Sequence, residues 1–403
     1  MSTKRAQGES ATREPRNANG EGYVSKKLRK DGRYVASYTY NGKRKYFYGK
    51  VRAELKKKMV KILHDIETNS YTEDQNLTFG QWLDEWLQTY AKPGIRISTY
   101  NSYELAIRGH IKPALGKFKL QNLKPHQLKK FLNERQENGR LDGKGGLSPK
   151  TIKNIYNVIR KALQQAYMND MVHKNIADLV TKPKLDKKEV DPLTIPQQKQ
   201  LEDTCKDYRL GVGIILTLYS GVRLGELLGL MWQDVDLEGR RITIRQTLNR
   251  LTVHDDPNRK TAIVIGKPKT AKGQREIPLQ DFLIPLLRQL KKRQQEERMQ
   301  FGQEYLNKGF VICNEQGNHI EPRTYQDFFK KMLREAGIPK TNFHTLRHTF
   351  ATRALETGFD VKVLADILGH ADASTTLNKY AHALPDHKRS SMDKLTSLWE
   401  TST

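Results

Sequence analysis

Between Asn342 and His382 the chain carries four side chains whose types and spacing suit attack on a phosphate. His344 and Arg347 lie three apart in His-Thr-Leu-Arg, His370 ends Leu-Gly-His, and Tyr380 follows ten residues later. Residues three apart share a helix face, so a base and a guanidinium would sit together, with Leu346, Phe350 and Leu355 on the buried side. Gly358 is expected to end that helix. Leu364 and Ile367 then mark a second short helix, and Gly369 is its C-terminal stop, delivering His370 at a turn. A tyrosine hydroxyl, with a pKa of about 10, is a poor nucleophile near neutrality. It needs a base, an electropositive site and donors for the charge that grows on the group it attacks. Two imidazoles and an arginine nearby in sequence supply those parts.

Other chemistries fit less well. His344 and His348 have i, i+4 spacing, but Thr345 stands where a zinc-protease helix carries glutamate, and no third ligand is evident, so no metal is expected. No Gly-x-x-x-x-Gly-Lys-Ser/Thr loop occurs, and no cofactor is expected.

The three motifs, His344-Thr-Leu-Arg347, Leu368-Gly369-His370 and Tyr380, resemble the signature of the tyrosine recombinase (phage integrase) family. That family also requires an earlier arginine and a lysine. Ser220-Gly221-Val222-Arg223-Leu224-Gly225-Glu226-Leu227 is similar to its first-arginine motif, with Ser220 where threonine is more usual. Lys269-Thr-Ala-Lys-Gly-Gln-Arg-Glu-Ile-Pro278 is similar to its β-hairpin lysine motif, with Lys267 and Lys272 as close competitors for Lys269. The resemblance implies a DNA-breaking and rejoining enzyme. Tyr380 would form a 3′-phosphotyrosine and release a 5′-hydroxyl. Arg223 and Arg347 would hold the non-bridging oxygens, His344 would be the base, His370 a phosphate donor and Lys269 the acid. It also implies a homo-oligomer on DNA, a tetramer when recombining, and an excisionase or DNA-bending accessory protein. A type IB topoisomerase-like enzyme and a non-catalytic DNA-binding regulator are the rival readings.

Composition agrees with a polyanion as partner. The 403 residues contain 71 Lys and Arg against 45 Asp and Glu, a net charge of +26. The most apolar run, Val212 to Tyr219, is too short to span a bilayer, and the charged N-terminus lacks a signal-peptide core. Only Cys205 and Cys313 occur, without metal-ligand spacing, which suits a reducing bacterial cytoplasm.

These residues need elements to position them, and the pattern along the chain gives a multidomain, mainly α protein with small β-sheets. Residues 1–20 read as a disordered basic arm. Residues 21–75 read as an arm-type module: three short strands (Tyr23 to Lys30, Arg33 to Tyr40, Lys43 to Tyr48) separated by Asp31-Gly32 and Asn41-Gly42 turns, then a helix from Val51 to Thr68. Residues 1–70 hold 18 Lys and Arg against 7 Asp and Glu, so this sheet is a candidate for the DNA major groove through Arg29, Arg33, Lys43, Arg44 and Lys45. Its layout resembles the arm-binding domain of conjugative-transposon integrases, which would recognise arm sites apart from the element ends. Residues 76–180 read as a four- or five-helix bundle without strands. Its last helix, capped by Ser148-Pro149, turns Lys150, Lys153, Asn154, Arg160 and Lys161 outward for DNA. Residues 190–384 form the α+β catalytic domain, with strands at Ile242 to Ile244, Ala262 to Ile265 and Phe310 to Cys313 and a protruding insertion between Arg250 and Lys260. Residues 385–403 carry a helical apolar stripe that could dock on a neighbouring protomer or on its own domain.

Overall fold

The computed structural model describes residues 22–68, 76–182, 191–253, 260–268 and 271–380. The chain divides into two compact units, Met1–Asp186 and Lys187–Thr403.

In the first unit, β1 (Tyr23–Val24), β2 (Tyr34–Tyr40) and β3 (Lys43–Gly49) form an antiparallel sheet in that order. Asn41 and Gly42 both take positive φ, 48° and 74°, the backbone that a tight two-residue hairpin demands. The first strand is far shorter than the expected run to Lys30: the ladder pairs only Tyr23 and Val24, and at Ser25 the side-chain hydroxyl accepts from Val35 N in place of a backbone carbonyl. Helix α1 (Arg52–Glu67) puts Leu55 and Met59 against Ala36 and Tyr38 on one face of the sheet.

Next come α2 (Phe79–Glu85), α3 (Ile97–Ala106), α4 (Lys112–Leu115), α5 (Pro125–Asn138) and α6 (Pro149–Met168). Thr78 and Gln81 close a capping box on α2, and the Ser148 hydroxyl accepts from Thr151 N at the start of α6. Helix α3 begins one residue before Ser98, with Arg96 as its N-cap, so Ser98 is not the expected cap. Both α2 and α3 run on into π-helical segments, Trp86–Ala91 and Ile107–Ile111. Phe79, Trp82, Ile107, Leu128, Phe131 and Tyr156 fill the core, and the Trp82 and Tyr156 polar ends are satisfied by the Ala162 and Ala177 carbonyls.

The second unit opens with α7 (Ile195–Lys206), α8 (Gly211–Ser220) and α9 (Leu224–Gly229). The apolar run Val212 to Tyr219 lies within α8, where eight of the ten helix residues are buried. Strands β4 (Val235–Asp236) and β5 (Arg241–Ile244) follow, then β6 (Thr247–Thr252) and β7 (Thr261–Gly266), then β8 (Arg275–Pro278). The antiparallel order β4-β5-β8 makes one sheet, and β6 and β7 pair separately as a hairpin. The start of the expected insertion is strand, Arg250, Leu251 and Thr252 pairing with Ile263, Ala262 and Thr261, and residues 254–259 lie outside the described residues. The expected strand at Phe310 to Cys313 is reduced to isolated bridges, Met231 to Phe310 and Cys313 to His319. Helices α10 (Leu283–Phe301), α11 (Pro322–Glu335), α12 (His344–Glu356), α13 (Val361–Leu368) and α14 (Ala373–Tyr380) complete the unit. Among the described residues no helix is long and apolar enough to cross a membrane. The basic arm at residues 1–20 and the tail stripe at 385–403 lie outside the described residues.

Candidate active site

Two glycines set up the centre. Helix α8 ends at Gly221 in the left-handed region, φ 64°, where an added Cβ would lie 2.5 Å from Phe350 and 2.8 Å from Leu368. The reversal makes Arg223 the N-cap of α9, with its side chain about two-fifths exposed. Helix α13 likewise ends at Gly369, φ 64° and ψ 42°, which delivers His370 as expected.

Arg347 is the centre's anchor. It is 1% exposed, and its guanidinium donates to Gly221 O (2.7 Å) and Leu368 O (2.6 Å) while Nη2 lies 3.0 Å from His370 Nε2. One side chain thus joins the turn before Arg223 to the Leu-Gly-His turn. A guanidinium only donates, so His370 Nε2 accepts from it. The Nδ1–H then donates to Thr376 Oγ1 at 2.7 Å, a neutral tautomer fixed from both sides. In this arrangement Nε2 carries no proton for a phosphate. The donor role expected of His370 requires its Nε2 contact with Arg347 to be released, because a proton on Nε2 would face the guanidinium N–H.

His344 opens α12 and is exposed, with its ring edge-on to His348 at 4.7 Å between centroids. Phe343, packed on Phe329 and Tyr325, fixes the start of that helix. His344 and Arg347 share the helix but not an environment: one faces solvent and the other the core. Arg223 and His344 line one cleft with Lys330 and Lys340. Tyr380 is the last residue of α14, one helical turn beyond Thr376. Lys269 lies outside the described residues, and its neighbours Lys267 and Lys272 are exposed.

Sequence reasoning missed a buried carboxylate. Glu226, 2% exposed, accepts from Arg223 N (3.0 Å) and Arg223 Nη1 (2.7 Å), and from both terminal nitrogens of Arg275 (3.2 and 2.9 Å). Burial pushes its pKa up, but the hydrogen bonds and charge of Arg275, and then of Arg223, outweigh it and hold the carboxyl below the ordinary glutamate value. The available signal was a glutamate three residues after a helix-capping position. Thr376 carried no comparable signal although it lies only six residues from His370, and Lys340 none because it meets Arg223 across the cleft from a distant part of the chain. Among the described residues no group of three or more His, Cys, Asp or Glu could hold a metal ion.

The expected DNA-contact residues separate into distinct settings. Register places Lys43 opposite Tyr40 and Lys45 opposite Tyr38, on the side of the sheet that α1 covers. Arg44, Tyr46 and Tyr48 stand on the other side. There Arg29 and Arg33 lie over the Tyr48 ring at 4.9 and 5.5 Å, and Arg44 over Tyr46 at 5.8 Å. On α6, Lys150, Asn154 and Lys161 are exposed on one face and Lys153 is half-buried beside them. Arg160 is tied to Asp178 at 2.5 Å, and Lys161 donates to the Tyr103 hydroxyl at 2.8 Å.

Residues 184–387 match the phage integrase family, and residues 78–135 match the phage integrase N-terminal SAM-like domain. A tyrosine recombinase XerC-like protein of Caldanaerobacter subterraneus is 32% identical over 89% of this chain and 93% of its own. The transposase of transposon Tn916 from Enterococcus faecalis is 27% identical over 91% of this chain and 93% of its own. Among solved structures, the Tn1549 transposon integrase bound to a circular intermediate DNA is 25% identical, with a TM-score of 0.65 over 79% of this chain and 99% of that one. A lambda integrase tetramer, 18% identical with a TM-score of 0.53 over 89% of this chain and 98% of that one, shares the fold. With a buried arginine–histidine centre and these relatives, the chain belongs to the phage integrase family: it is a tyrosine recombinase, a DNA breaking and rejoining enzyme of the kind that mobile elements carry.

Proposed function

We propose that this chain cuts and rejoins double-stranded DNA at the ends of a mobile element through Tyr380, for excision and integration. Tyr380 Oη attacks the scissile phosphorus while His344 takes its proton. The phosphorus–O5′ bond breaks, and Lys269 protonates the leaving 5′-oxygen. Arg223 and Arg347 neutralise the non-bridging oxygens, and His370 adds a donor once its ring turns away from Arg347. The 3′-phosphotyrosine keeps the bond energy, so a 5′-hydroxyl from a partner strand reverses the steps without nucleotide hydrolysis.

The observation that supports this reading most is the Arg347 guanidinium. It holds the carbonyl two residues before Arg223 and the turn that carries His370, so three separate motifs meet at one buried charge. Residues 21–75, with Arg29, Arg33 and Arg44 around exposed tyrosines, take arm sites. Residues 76–180 grip the core site through Lys150, Lys153, Asn154 and Lys161. The catalytic domain spans residues 190–384. Four copies act together on paired ends in a bacterial cytoplasm, with an excisionase or DNA-bending protein setting direction, and residues 385–403 dock between copies. The lambda integrase tetramer on a Holliday junction supports the assembly by analogy of fold.

The test is a covalent adduct. The full chain selects its preferred duplex from a randomised library, and that duplex, nicked near each candidate scissile position, is incubated with wild type and with Tyr380→Phe. A protein–DNA band on denaturing gels from wild type alone is expected. Tight binding without an adduct from wild type would remove the enzyme reading for Tyr380. Relaxation of supercoiled circles lacking paired sites would favour a topoisomerase-like role.

A further inference from the structure

We infer that Arg275 is a positioning residue that locks the Lys272-Gly273 turn leading into β8, the Arg223 turn and the His370 turn into one arrangement; this rests on the assignment of Arg223 and His370 above. Arg275 opens β8, three residues after Lys272 and six after Lys269, and its pairing with Ile244 roots it in the three-stranded sheet. Its side chain is 6% exposed. Toward α9 it presents both terminal nitrogens to Glu226, the carboxylate that also receives the Arg223 backbone and guanidinium. Toward α13 its Nε donates to Ile367 O, three residues before His370. Toward the turn just before β8, Nη1 also reaches Gly273 O at 3.1 Å.

The packing repeats the same link. A Cβ at Gly369 would lie 3.1 Å from Arg275 Cδ and 2.9 Å from Lys272 O, so the Leu-Gly-His turn rests directly on the turn that leads into β8. A planar fork with donors on three sides can hold three partners at once. An ammonium, being a point charge, cannot reproduce that geometry. Neutralisation adds a second function. Glu226 is buried, and without Arg275 its desolvation is opposed by Arg223 alone. Protonated Glu226 would leave Arg223 without a fixed anionic partner, free to miss the phosphate.

The experiment measures single-turnover adduct formation by the full chain on the selected nicked duplex, across pH, with duplex affinity and thermal melting of every variant in parallel. Arg275→Met is expected to slow adduct formation about 10²-fold or more while duplex affinity stays within about threefold. Its rate should show a further acid limb, beyond the one that the His344 base gives wild type and variants alike, as pH drops and Glu226 takes up a proton. The double variant Arg275→Met, Glu226→Gln removes both buried charges together, which protects the fold. It should be slow with no such limb. Arg275→Lys should recover only a small part of the rate. If Arg275→Met does not fold, the double variant and Arg275→Lys carry the test. Cleavage by the folded variants within about threefold of wild type, or a defect without the further acid limb that tracks melting temperature alone, overturns the inference. No adduct from wild type counts against the Tyr380 assignment instead.

Discussion

Arginine serves two opposite purposes in the two basic regions of this molecule. In the arm module, Arg29 and Arg33 have side chains 49% and 51% exposed and lie over Tyr48 beside a single exposed carboxylate, Asp31. Asp31 accepts from Arg33 Nε and Nη2 (3.2 and 2.9 Å), but at the exposed surface such a pair is weak and exchangeable, which suits contact with a backbone whose shape varies. In the catalytic unit, Arg347 and Arg275 are almost wholly buried and held by carbonyls and by Glu226. Their directions are set before any DNA arrives, which is what stabilising a transient charge requires. Exposed arginine gives affinity, and buried arginine gives geometry.

The largest effect should come from the buried side. Arg347→Ala removes the links to Gly221, Leu368 and His370, so single-turnover adduct formation should fall about 10³-fold or more, with duplex affinity much less affected. Glu226→Gln is expected to cost about 10²-fold in the same assay. It should also change acid stability. The wild-type Glu226 pKa is lowered on folding, so its ionised form stabilises the native state above the ordinary glutamate range. That contribution is lost as pH falls through the lowered value, and urea titrations of Glu226→Gln should lack this component.

Thr376→Val should have a smaller effect, about tenfold in cleavage, by freeing the tautomer of His370. Thr376→Ser should restore the rate, and the His370 ring-nitrogen NMR shifts should follow the same pattern. On the exposed side, Arg44→Ala and Tyr48→Ala should leave cleavage of a short core duplex unchanged and weaken binding to longer duplexes. Each lost phosphate contact should reduce the salt slope by about 1. If these arm variants abolished cleavage of the short duplex, the division between affinity and geometry would fail.

The smallest effect concerns His110 in the helical domain. It is 5% exposed with Nδ1 lacking a hydrogen bond, and burial, then the nearby Arg135 charge, lowers its pKa. The unfolded chain binds this proton more readily. Stability should therefore fall as pH drops below about 6.5, and His110→Leu should flatten that part of the melting profile.

The sequence by itself determined whichever features depend on neighbours along the chain. The Asn41-Gly42 turn, the Ser148-Pro149 start of α6, the Gly369 stop and the burial of Leu346, Phe350 and Leu355 follow from local backbone preference and helical period. Where local and distant forces compete, the reading was incomplete. Tyr23 to Lys30 has strand-like residues, yet the ladder stops after Val24 because the Ser25 hydroxyl takes the Val35 N–H that a backbone carbonyl would have accepted. Strand alternation sets Lys43 and Lys45 on the face opposite Arg44, and only the packing of α1 decides which of those faces is covered. Spacing placed His344 and Arg347 on one helix but could not assign one to solvent and the other to the core. Tertiary structure alone decided that Glu226 is shared by Arg223 and Arg275, 49 residues apart from the latter, and that Thr376 orients His370. A buried charge is tolerable only where distant parts of the chain converge to satisfy it, and no local pattern records that convergence.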